Sequence, residues 1–118
     1  RRAGLPRVAS RTASLLASQD GVAIDSVALD FLRSEPTLSA IVTGAVDNYL
    51  HELAQANQPP SKTVYDPAKD GKPLASQGVH EHWNNAAEKK YSRNLGKGAG
   101  IELASLPPAP QRLALAPR

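Results

Sequence analysis

The chain has no cysteine. Without thiolates it can form no disulfide, no thiolate zinc site and no iron–sulfur cluster of its own, while the redox compartment stays open. Aromatic residues are almost as scarce: Phe31, Tyr49, Tyr65, Trp83 and Tyr91 make up 4% of 118 residues. Burial must then come mainly from Ala, Val, Leu and Ile, which bring less area per side chain. A modest core is expected, or one completed by a missing N-terminal domain or by a second copy of the chain. Long apolar runs are also absent. None approaches the roughly 20 residues of a membrane span, so a soluble chain is expected, and RRAGLPRVASRTASLLAS is too broken by Arg, Ser and Thr to act as a signal peptide.

Positive charge is scarce where a domain would lie. Arg1, Arg2, Arg7, Arg11, Arg112 and Arg118 are six of the fourteen basic residues, whereas residues 12–106 hold eight Lys/Arg against all eleven Asp/Glu. The net charge of +3 is therefore a property of the ends. Such ends bind anionic polymers in a salt-dependent way, but no dedicated nucleic-acid function is expected.

Composition divides the chain into three parts: a basic, disordered tail over residues 1–13, a single small domain or domain fragment over 14–106, and a disordered Pro/Ala-rich tail over 107–118. Within the middle part, Ile24, Val27, Ala28, Phe31 and Leu32 recur at helical spacing, predicting a helix over residues 21–34. Ser18 or Asp20 would cap it and Pro36 would end it. Asp25 and Asp30 read as solvated. A second helix is expected from Thr37 to Asn57, with an apolar stripe of Leu38, Ile41, Val42, Ala45, Tyr49 and Leu53, widened by Val46 and Leu50. Asp47 and His51, four apart, are neighbours on it. A Pro-rich loop with a turn at Asp70 and Gly71 follows, and short strands are expected over residues 78–83 and 100–105. The expected fold class is α+β.

The stretch GVHEHWNN at residues 78–85 is the candidate site. In an extended segment side chains alternate, so His80 and His82 share one face while Glu81 and Trp83 share the other. Two imidazoles so placed suit one divalent metal ion, with His51, the only other histidine, as a further ligand. The competing reading makes Trp83 a structural anchor on the helices, with both histidines hydrogen-bonded to loop backbone. Arg93 can grip an anion with its fork or pair with Glu88 or Glu102.

The words SQDGVAIDSVALDFL, VDNYLHELAQANQPPSKTVYDP and GVHEHWNNAAEKKYSRNLGKGAGIEL resemble the C-terminal part of bacterial proteins in the domain-of-unknown-function family three-six-two, particularly longer, often exported members. The resemblance runs from about Leu15 to Leu103. It implies an extracytoplasmic location, a larger N-terminal α/β portion before Leu15, and a site shared with that portion at Ser18, Asp20 and Asp25. Other branches of the family carry ferredoxin-like cysteine clusters, which have no counterpart here. AAEKK at residues 86–90 departs from the family pattern. On this reading the chain is the C-terminal fragment of such a protein and serves as a non-catalytic structural module. The alternatives are a metal-dependent or redox enzyme domain built on His80 and His82, with Glu81, His51 or Asp20, and anionic-polymer binding through the basic tails.

Overall fold

The computed structural model describes residues 14–36 and 39–106. The two tails, and Thr37 and Leu38, lie outside the described residues. Helix α1 spans Gly21–Ser34. Asp20 caps it, its Oδ1 accepting from the amides of Val22 and Ala23 at 2.9 Å each, which satisfies two of the donors that a helix start leaves free. The other oxygen of Asp20 accepts from Val79 N–H at 2.9 Å, so the same carboxylate docks the GVHEHWNN stretch onto the helix. Gly78 makes that approach possible: it has φ +154°, and a Cβ there would run into the Asp20 carboxylate.

Helix α1 has two apolar flanks. Val22 and Leu29 pack with Leu50, with Val42 and Ala54 against them. On the other flank Val27 packs with Tyr91 and Ile101, with Phe31, Trp83 and Leu103 alongside. At about 100° per residue, Ser26 and Asp30 fall between the flanks, and both are buried, at 0% and 4% exposure. Asp30 is thus not the solvated residue expected from the sequence.

Two expectations are corrected. The second helix, α2, is only Asn48–Ala54, and residues 39–47 form turns and bends in its place. Gly44, at φ +72°, lies inside the stretch expected to be helical. Of the described members of the expected stripe, Ile41, Val46, Tyr49 and Leu53 are exposed, and Leu50 alone is fully buried.

The α+β class is overturned as well: among the described residues there are two helices and no strand. Side chains take the role of neighbouring strands. Trp83 N–H donates to Asp30 at 2.9 Å, Ile101 N–H to Glu81, and Leu103 N–H to Asn94 at 2.6 Å. Backbone donors satisfied this way have no need of a ladder. At the DG step, Leu74 N–H donates to Tyr65 C=O at 2.7 Å and Asp66 accepts from Asp70 and Gly71, so the turn forms without strands.

Candidate metal centre

All three histidines of the chain converge on one carboxylate, Asp47, just ahead of α2. Its Oδ2 lies 3.0 Å from His82 Nε2, 3.4 Å from His51 Nε2 and 3.7 Å from His80 Nε2. Its Oδ1 lies 3.4 Å from Arg33 Nη2. Burial raises the Asp47 pKa, but the hydrogen bond with His82, one within its own residue, and Arg33 outweigh it and hold the carboxyl at about 2. At neutral pH this group is a carboxylate.

Helix α1 sets the orientation of two of the rings. Ser26 and Asp30 are one turn apart, a rise of about 6 Å. His80 and His82 are two apart outside either helix, and two residues of extended chain span about 6.6 Å. The two spacings match, so Ser26 meets His80 and Asp30 meets His82.

The hydrogen positions follow from what each partner can do. Ser26 Oγ is 2.8 Å from Val22 C=O and 2.6 Å from His80 Nδ1. A carbonyl only accepts, so the hydroxyl hydrogen goes to Val22, and His80 Nδ1–H must donate to Oγ. Burial first, and then the neighbouring His51 and His82, hold the His80 pKa below the usual range. The ring is therefore neutral, with its lone pair on Nε2. The His80 side chain is 3% exposed and Nε2 has no hydrogen-bond partner among the described residues.

Asp30 Oδ1 likewise accepts from His82 Nδ1 at 2.7 Å, and Asp30 Oδ2 accepts from Trp83 N–H at 2.9 Å and Tyr91 O–H at 2.8 Å. This turns His82 Nε2 toward Asp47 Oδ2. With Nδ1–H given to Asp30, Nε2 either carries a second proton and donates it to Asp47, or turns its lone pair toward the carboxylate, where a cation between them satisfies both. Asp47, His80 and His82 each offer a ligand atom, all within 4.8 Å of one another, so the group could hold a metal ion. His51, whose ring meets His80 edge-on at 4.4 Å, stands beside this set and outside it.

The remaining sequence candidates lie elsewhere. Asp20 is occupied as cap and dock, Ser18 Oγ accepts from Asp20 N–H at 3.0 Å, and Asp25 is exposed, 3.5 Å from Tyr49 O–H. Glu81 points away from the histidines, toward Ile101 N–H. Arg93 pairs with Glu102 at 3.2 Å, both more than half exposed, a type of contact that adds little stability. Trp83 meets Phe31 edge-on at 5.1 Å, with Lys89 Nζ 5.7 Å from its ring.

Sequence reasoning missed Ser26 and Asp30 as partners of the histidines. Their spacing of four on one helix, matched to a His-x-His spacing of two, was the available signal. No family model, curated protein or solved structure matches this chain.

Proposed function

We propose that this chain is a metal-binding module in which Asp47 Oδ2, His80 Nε2 and His82 Nε2 hold a divalent first-row transition ion of the zinc or iron(II) class. The observation that carries the reading is His80 Nε2, a buried lone pair with no donor among the described residues, turned by Ser26 toward a carboxylate. Leaving a buried acceptor unpaired is costly, typically about 1–3 kcal/mol. A cation among these atoms meets that lone pair, the one on His82 and the charge of Asp47 together. Two imidazoles with one carboxylate suit zinc or iron(II) better than calcium or magnesium, which favour oxygen donors. The outer partners support the same reading: hydrogen-bonded Nδ1–H groups are what orient metal-ligating histidines.

The structural-module role and the metal role fit one arrangement. Seven apolar side chains are buried among the described residues, a small core for a chain of this length. An ion held by residues 47, 80 and 82 would staple the start of α2 to the segment docked on α1, and its binding energy would add to folding. The resemblance to family three-six-two proposes a lineage and supplies no metal chemistry of its own.

The test is elemental analysis of protein produced without a histidine tag. Stoichiometric zinc, iron or manganese that is lost on replacing both His80 and His82 by Ala supports the reading. A metal content unchanged by that double replacement, or a folded wild type that takes up none of these ions, overturns it.

A further inference from the structure

Arg33 is held along one edge only. Its Nε donates to Val42 C=O at 3.3 Å and its Nη2 to Gly44 C=O at 3.2 Å, with Asp47 Oδ1 3.4 Å from the same Nη2. These three contacts fix the guanidinium plane, while Nη1 has no hydrogen-bond partner among the described residues. The side chain is 27% exposed. A cleft of about 350 Å³ opens against it, lined also by His82, by Ser34, Asn84 and Asn85, and by Asp30, whose carboxylate is taken up by His82, Trp83 and Tyr91. The exposed side of a proposed metal ligand and a fixed guanidinium thus border one space.

Charge points the same way. Two carboxylates, Asp30 and Asp47, face the histidines, and a divalent ion would balance them. Arg33 then remains as one surplus positive charge beside the cleft. A guanidinium offers paired N–H donors in a plane, a geometry matched to carboxylate and phosphate oxygens. Three protein ligands also leave a transition ion with a coordination position for an outside donor.

We propose that the cleft between His82 and Arg33 is a binding site for an oxyanion group, carboxylate or phosphate, with one oxygen on the metal ion and another on Arg33. This rests on the metal reading above. The ion supplies most of the attraction, and Arg33 supplies orientation and selection for groups with two oxygens.

The experiment uses the full chain loaded with cobalt(II), whose visible spectrum reports its ligands. Inorganic phosphate and acetate are titrated separately, with chloride at equal ionic strength as the control. Saturable spectral change with phosphate or with acetate, weakened about tenfold or more in Arg33→Ala, is expected; a tenfold loss corresponds to about 1.4 kcal/mol. Arg33→Lys, which keeps the charge and loses the fork, should fall between. Response to phosphate alone identifies a phosphate-bearing ligand, and response to acetate alone a carboxylate. If cobalt binds but neither anion changes the spectrum, or if Arg33→Ala and Arg33→Lys both respond like wild type, the oxyanion site is overturned and the metal reading stands. If cobalt does not bind at all, both are overturned.

Discussion

Asp30 Oδ1 lies 2.7 Å from His82 Nδ1, and through this contact the candidate metal centre is tied to the core. The same buried carboxylate accepts from Trp83 and Tyr91, residues 53 and 61 positions away in sequence. Replacing it should therefore affect both metal affinity and stability. Asp30→Asn keeps the shape but leaves one acceptor oxygen for three donors. Metal affinity should fall roughly 10- to 100-fold, as for other outer-shell changes, and the metal-free protein should lose about 1–3 kcal/mol. Competition with a chelating dye and urea unfolding measure the two effects, and an unchanged affinity would count against the orienting role of Asp30.

Ser26→Ala separates orientation from packing. It removes the acceptor for His80 Nδ1–H without removing charge, so metal affinity should drop about tenfold or more. Nitrogen NMR of the metal-free wild type should show His80 in the Nδ1–H form. An Nε2–H form would contradict the geometry that points its lone pair at Asp47.

Tyr91 predicts the response to base. Burial first, and then the hydrogen bond and charge of Asp30, push its hydroxyl above the usual tyrosine range. A group whose folded pKa is raised contributes stability that is fully present below its unfolded pKa, near 10, and is lost as pH rises toward the folded value. Stability should fall from about pH 10 upward, and Tyr91 should ionise only with unfolding. Phenolate absorbance followed beside circular dichroism tests this: ionisation of Tyr91 in still-folded protein would be the contrary result.

Leu50 is the fully buried apolar side chain of α2 in the cluster it shares with α1, at 0% exposure, with Ala54 packed beside it. Leu50→Ala should cost about 2–5 kcal/mol, including the cavity it leaves. Tyr49→Ala, at an exposed position on the same helix, should cost far less. Urea midpoints of the two variants, compared without metal, decide the point; equal losses would contradict the burial of Leu50.

Removing the ion should lower the thermal midpoint. For free metal at 100 times its dissociation constant, the stabilisation is about 2.7 kcal/mol. Scans with and without chelator should show this shift in wild type and lose most of it in the His80→Ala, His82→Ala double variant. His51→Ala should keep most of the shift, because His51 stands outside the set of three.

Local features were legible where their causes are local. Helix α1 occupies the range expected from its apolar period, starts at the Asp20 cap and stops ahead of Pro36, because spacing, capping and proline sterics act within a few residues. The shared face of His80 and His82 follows from backbone alternation in the same way. The expected second helix failed because periodicity alone does not count the breaks: Gly44 at positive φ lies within it, and only seven residues from Asn48 onward remain helical.

By itself, then, the sequence determined that no cysteine chemistry is available, that α1 forms with Asp20 at its head, and that two histidines lie on one face. The tertiary structure alone decided that His51 and Asp47 join them, that Ser26 and Asp30 turn their rings, and that extended segments are satisfied by side chains rather than by a sheet. The reason is physical. A ring's lone pair is oriented by partners 52 and 54 residues away, and such contacts exist only once the apolar flanks of α1 have packed.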